Sequence, residues 1–330
     1  QTSFGPAGGT GTVQVTADNG CSWNATTTEP TWLHITGNGS GSGSGSFTFT
    51  VDKYTGTDQR SGYLNVKGKT VKINQSGVSK GDFLVSAAAN IPGEKGTHWQ
   101  TDLCIFNPNG DAQATVHVLF LPEAISGPAE PVDLTPQGAV IHEHGTLCLA
   151  DVLASESDSK GALRVQVENP ELLDIPVVVT SRTYTKQPDG EGTYGQNVPG
   201  QVVSTGPVRE LVIGGLQHYT NEDGSGYRTA VGLVNQTDKA IGGINIYIYT
   251  NEGTEIGPYR TGVFANGFVQ IDRIVEKILG SGNQLHDFSV VIRFADADGN
   301  EGVAKQVSAY ASIVDNVTGD AVFIPATPVP

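Results

Sequence analysis

Residues 83–121 read FLVSAAANIPGEKGTHWQTDLCIFNPNGDAQATVHVLFL, and residues 211–249 read LVIGGLQHYTNEDGSGYRTAVGLVNQTDKAIGGINIYIY. The two stretches align over 39 positions without a gap, at a constant offset of 128. Glu94-Lys95-Gly96 falls on Glu222-Asp223-Gly224, Thr101 on Thr229 and Asn107 on Asn235. Val116, Val118 and Phe120 fall on Ile244, Ile246 and Ile248, so both copies are apolar at every second residue and in the same phase. A period of two is the mark of a strand with one buried face. The copies meet again after insertions, Gly145 to Leu149 against Gly267 to Ile271 and Val198-Pro199-Gly200 against Ile324-Pro325-Ala326. Each copy is thus about one β-sandwich in length. Leu149 to Leu153 and Ile271 to Leu279 are short apolar stretches that could each form a helical turn.

Upstream of the repeat, Thr12 to Thr16, Phe47 to Val51, Tyr63 to Val66 and Thr70 to Ile73 also alternate, as half-buried strands do. Gly37 to Ser46 is almost wholly Gly and Ser and reads as a flexible loop. Across 330 residues, Gly 43 and Pro 17 fit many short strands joined by tight turns. The expected fold is all-β: three Ig-like β-sandwich domains in tandem over 1–79, 80–205 and 206–330, the second and third an internal repeat.

Charge divides the chain at the same place. Residues 1–80 carry +2, residues 81–205 carry −11 and residues 206–330 carry −6. The net −15 repels nucleic-acid backbones and anionic lipids, which excludes both as main partners. No apolar run approaches the length that spans a bilayer, so membrane insertion is not expected. The chain starts at Gln1 without an initiator Met or a basic-then-apolar leader, the start left by signal-peptide removal or by trimming.

Phe4, Gly8-Gly9, Cys21-Ser22-Trp23, Trp32-Leu33-His34-Ile35, the Gly-Ser run at 39–45, Arg60-Ser61-Gly62 and Asn74-Gln75-Ser76-Gly77 together resemble a BACON domain, an Ig-like module of secreted bacterial proteins, over about residues 3–78. Members of that family commonly carry an extended segment before the position of Phe4, so the resemblance implies that the first domain lacks a strand. The two repeats resemble uncharacterised modules that follow Ig-like domains in secreted bacterial proteins. Both resemblances imply an extracellular or cell-surface location after signal-peptide removal.

Cys104 and Cys148 lie in one copy, and their counterparts in the other are Gly232 and Gln270. Two cysteines absent together suggest a disulfide; two buried free thiols are the alternative. Cys21, beside Trp23, reads as a core residue.

Chemistry-bearing patterns are few. The Gly-Ser run fails the Gly-x-Ser-x-Gly register of a nucleophile elbow. His142 and His144 could share a side of a strand, but only His117 is near in sequence as a third ligand, and an exposed loop is the simpler reading. Asp296, Asp298, Asn300 and Glu301 around Gly299 space oxygens as a calcium loop does, and a plain hairpin turn accounts for them equally. Sequons stand at Asn24, Asn38, Asn74, Asn235 and Asn316. No cofactor and no enzymatic activity are expected.

Two functions remain. One is a structural or surface protein that assembles head to tail as an extracellular filament, the tail Val322, Phe323, Ile324 and Pro325 adding a strand to an open sheet edge of the next subunit. The other is glycan binding or adhesion, with Trp99, Tyr227, Tyr247, Tyr249 and Tyr259 as stacking platforms.

Overall fold

The computed structural model describes residues 2–5, 8–54, 56, 60–75, 77, 81–93, 96–137, 139–173, 175–187, 191–203 and 206–329. The chain divides into two compact units, Gln1–Ser79 with Val203–Pro207 and Val329–Pro330, and Lys80–Val202 with Val208–Pro328. Residues 78–80, at this boundary, lie outside the described residues, as do Glu94 and Lys95 of the repeat alignment.

The first unit contains β1 (Ser3–Phe4), β2 (Gly9–Val15), β3 (Ser22–Thr27), β4 (Leu33–Gly37), β5 (Ser40–Ser42), β6 (Gly45–Val51), β7 (Arg60–Val66) and β8 (Lys69–Gln75). They form one sheet in the order β1-β8-β7-β3-β5 and a second in the order β2-β6-β4. Trp23, Trp32, Leu33, Phe47, Phe49, Leu64 and Ile73 fill the space between them. The Gly-Ser run is not a free loop. Ser40–Ser42 pairs with Ser22–Asn24, and the Trp23 indole donates to the Gly43 carbonyl at 2.9 Å. A Cβ on Gly41 would lie 2.5 Å from the indole, so glycine recurs there because the ring occupies the side-chain space.

The second unit holds both repeat copies. The first copy comprises β9 (Asp82–Pro92), β10 (His98–Phe106), β11 (Ala114–Pro122), β12 (Val132–Asp133), β13 (Val140–Ile141), β14 (Thr146–Leu149), β15 (Ser159–Val167), β16 (Val178–Lys186), β17 (Thr193–Pro199) and β18 (Gln201–Val202). The second comprises β19 (Glu210–Thr220), β20 (Gly226–Asn235), β21 (Ile241–Tyr249), β22 (Glu255–Val263), β23 (Phe268–Ile271), α1 (Ile274–Leu279), β24 (Leu285–Phe294), β25 (Val307–Asp315), β26 (Ala321–Pro325) and β27 (Thr327–Val329). The order β12-β11-β15-β9-β10-β16-β17 recurs as β22-β21-β24-β19-β20-β25-β26, so Val116 on β11 and Ile244 on β21 hold the same place. Of the two expected helical turns, the second is the helix α1 and the first forms non-helical turns.

In each copy the long first strand joins two layers. β9 pairs with β15 along most of its length and with β10 only at Ile91 and Pro92; β19 pairs with β24 and then with β20 at Tyr219 and Thr220. The inward residues close a core of Ile, Val, Leu and Phe, in which each fully buried side chain contributes about 1.5–3 kcal/mol.

The aligned Asn107 and Asn235 are fully buried and do the same work. Asn107 Nδ2 donates to the carbonyls of Ala112, Ile141 and His142, and Asn235 Nδ2 to those of Lys239, Val263 and Phe264. Each side-chain oxygen accepts the backbone N–H two residues on, from Asn109 and Thr237. One amide thereby satisfies loop carbonyls that would otherwise be stranded. The sequon at Asn235 consequently has its amide nitrogen buried and committed.

Cys104 and Cys148 stand opposite one another on β10 and β14 and are joined by a disulfide, with Cα atoms 4.2 Å apart. Cys21 is an exposed free thiol, not a core residue. The tail residues Val322, Phe323, Ile324 and Pro325 lie in β26 and pair in register with Ile313 to Tyr310 of β25. They are the last strand of their own sheet, because the alternating apolar residues that would suit a donor also complete that sheet.

Candidate functional site

A cleft of about 640 Å³ opens between the two repeat copies. The first copy supplies Ala88 and Pro92 of β9, Trp99 of β10, Thr183 of β16 and Lys160 of β15. The second supplies Arg228 of β20 with Tyr310, Ser312 and Val314, alternate residues of β25. Their neighbours Ala309, Ala311 and Ile313 point into the second copy's own core, so strand alternation sends the cleft residues outward.

Trp99 is half-buried, and its indole lies beside Gly93, where a Cβ would come within 2.6 Å of Nε1. Glycine at 93 lets the ring lie against the hairpin between β9 and β10. Across the cleft a chain of polar contacts joins the copies. Tyr310 Oη donates to Gln270 Oε1 at 2.8 Å, and Gln270 Nε2 donates to Asp272 Oδ1 at 2.6 Å. Lys160 of the first copy meets Asp272 at 3.3 Å and Glu123 at 3.4 Å. Ser312 Oγ donates to Gln196 Oε1 at 3.2 Å, and the Gly195 N–H to Asp320 Oδ1 at 2.9 Å. Tyr310 is 1% exposed and stacks between Phe268 and Phe323; burial pushes its phenol well above the usual range. The cleft therefore has an indole on one wall and amide, hydroxyl, ammonium and carboxylate groups among its lining residues.

Of the aromatic residues expected as stacking platforms, Trp99 lines this cleft and the others do not. Tyr227 packs edge-on to Tyr219, which lies against His286. Tyr247 and Tyr249 are tied into an ion network on the outer side of β21. Arg293 donates to Glu210 at 3.0 Å, to Glu255 at 2.8 Å and to the Tyr249 hydroxyl at 2.6 Å, while its guanidinium lies 4.8 Å above the Tyr247 ring. The Tyr247 hydroxyl donates to Glu301 at 2.6 Å; burial first, and then Glu301, push it up to about 12. Those ring faces are already partnered by a cation.

The acidic turn does not assemble a cation site. Asp296 Oδ1 accepts the backbone N–H groups of Asp298 and Asn300, and Glu301 is drawn to Asn245 and Tyr247. His142 meets Gln113 and His117 meets Glu168, so the histidines do not converge either. No group of three or more His, Cys, Asp or Glu placed to hold a metal ion occurs among the described residues. Lys160, Arg228, Gln270, Asp272 and Tyr310 carry no motif. Their only trace in the sequence is that Gln270 and Gly232 stand where the other copy has its cysteines.

Residues 22–76 match the BACON family, described as "Putative binding domain, N-terminal". No curated protein matches the chain. Among solved structures, the C-terminal domain of the Streptococcus agalactiae antigen I/II polypeptide BspA is 11% identical, with 70% of this chain and 85% of that one covered at a TM-score of 0.18. The C-terminal domain of the antigen I/II-family protein AspA of Streptococcus pyogenes is 10% identical, covering 76% and 98% at 0.16. A structure of the Gx strain of infectious bursal disease virus is 10% identical, covering 97% and 78% at 0.17. At such scores the likeness carries no argument. Among the described residues no helix is long and apolar enough to cross a membrane, which says nothing of β-barrels. The family match is confined to the first unit, and within it the chain is similar to a binding domain of the BACON family.

Proposed function

We propose that the chain is an extracellular, non-catalytic binding protein that takes a saccharide in the cleft between its two repeat copies. The observation that carries this reading is the Trp99 indole on one wall of a cleft whose lining also includes amide, hydroxyl and charged side chains. Sugar rings have apolar C–H faces that stack on an indole and hydroxyls that pair with amides and carboxylates. The volume of about 640 Å³ falls within the range of small-molecule sites. The match of residues 22–76 to a family described as a binding domain supports a binding role for the chain.

A glycan array probed with the intact labelled chain and with Trp99→Ala tests the reading. A defined set of glycans is expected to bind, with at least about tenfold weaker binding in the variant. An array without bound glycans, or one unchanged by the variant, contradicts it. Polysaccharide and ester substrates are expected to be left intact, and turnover abolished by one Asp or Glu substitution would overturn the non-catalytic part.

Head-to-tail assembly is the second reading, favoured by the opposite charges of residues 1–80 and of the repeats. Donation of Val322 to Pro325 would first require breaking their ladder with β25. Assembly would more readily use another edge.

A further inference from the structure

The first unit has an unfilled side. Among the described residues β2 pairs only with β6, leaving its other edge without a ladder. Next to that edge lies a groove of about 660 Å³, lined by Val13 and Val15 of β2, Trp23, Val66 and Val71. Val13, Val15, Val66 and Val71 are only partly buried although they pack against the core. An open ladder beside a row of half-covered valines is what a sandwich shows when one more strand would complete it. Lys67 and Lys69 stand at the rim, exposed and without an ion pair among the described residues.

We infer that this groove is an acceptor for a second copy of the chain, which adds an extended segment of its acidic repeat unit along β2 and seats alternate apolar side chains on the valines. Charge identifies the occupant: the acceptor unit carries +1 with two lysines at the groove, whereas residues 81–205 and 206–330 carry −11 and −6. The inference rests on the assembly reading above and is independent of the saccharide cleft.

Sedimentation of the intact chain over a range of concentration and salt tests it, together with the alkylation rate of Cys21, an exposed thiol on the groove wall. Association that weakens with salt is expected, with Cys21 alkylated more slowly as the chain assembles. The surface variant Lys67→Glu/Lys69→Glu should raise the dissociation constant at least about tenfold with unchanged melting. Val15→Asp should do the same; if it unfolds, the lysine pair still decides. A chain that stays monomeric at millimolar concentration in low salt overturns the inference, whether Cys21 is then open or protected. So does association that both lysine substitutions leave unchanged. A groove that takes acidic peptides while the chain remains monomeric rules out the second copy as its occupant. A saccharide bound at Trp99 would be unaffected by any of these variants.

Discussion

At one position of the repeat the two copies use different chemistry. In the first copy Cys104 and Cys148 face each other across β10 and β14, with Thr180 beside them on β16, and the pair is covalently closed. In the second copy the same places hold Gly232, Gln270 and Tyr310. A Cβ at 232 would lie 2.0 Å from the Tyr310 ring, so the ring fills the space that the cysteine side chain takes in the other copy, and its hydroxyl is held by Gln270. A disulfide restricts the unfolded chain whatever lies outside the sheet. A buried tyrosine stabilises only if something covers it, and here the cover is Phe268 and Phe323, of which Phe268 is bridged in turn to Glu123 and Ala124 of the first copy. The difference teaches that the first copy carries a covalent reinforcement, while the second relies on a packed tyrosine whose stacking partner Phe268 is tied to the first copy.

The most severe way to break this comparison is Tyr310→Ala, expected to cost about 3–5 kcal/mol and to loosen the second copy before the first. Reduction of the disulfide should cost about 2–4 kcal/mol and loosen the first copy instead. Hydrogen exchange under mild denaturant separates the two. Asn107→Ala and Asn235→Ala should each lose about 2–3 kcal/mol, nearly equally, because each strands the same kind of loop carbonyls; chemical denaturation that finds one neutral would show the copies to be built differently there too. Gly232→Ala should cost about 1–3 kcal/mol by pushing on the Tyr310 ring, whereas a neutral result would show the ring free to move.

The smallest expected effect is on pH dependence. His218 occupies the repeat position of Asn90, and both are buried. His218 Nδ1 accepts the Thr229 N–H at 3.2 Å and Nε2 faces Glu276 at 3.4 Å. Burial, the dominant cause, holds its pKa below the usual value despite Glu276. On acidification the unfolded chain takes up the proton first, so this contribution is intact above about pH 6.5 and is lost as pH falls through the folded value. Melting followed from pH 8 to 5 should show that loss in the second copy, and His218→Asn should remove it.

Strand phases and the 128-residue offset were legible because each copy repeats the same buried face. The paired absence of Cys104 and Cys148 was legible for the same reason. The contact between copies was not, since Tyr310, Ser312 and Lys160 lie on outward positions that read as solvent-facing in any single strand. Trp99 could be named as an aromatic candidate, but nothing in its neighbourhood marked it apart from Tyr247 and Tyr249, whose rings are partnered by Arg293 only in three dimensions. The Gly-Ser run misled because composition alone cannot tell a flexible linker from glycines that make room for Trp23.

Hydrogen exchange of the intact chain with and without an oligosaccharide chosen from the array tests the central claim most directly. Protection is expected on both walls of the cleft, around residues 88–93 and 99 of the first copy and 228–230 and 310–314 of the second, and should vanish in Trp99→Ala. Protection confined to residues 22–76 would place binding in the first unit and contradict the account.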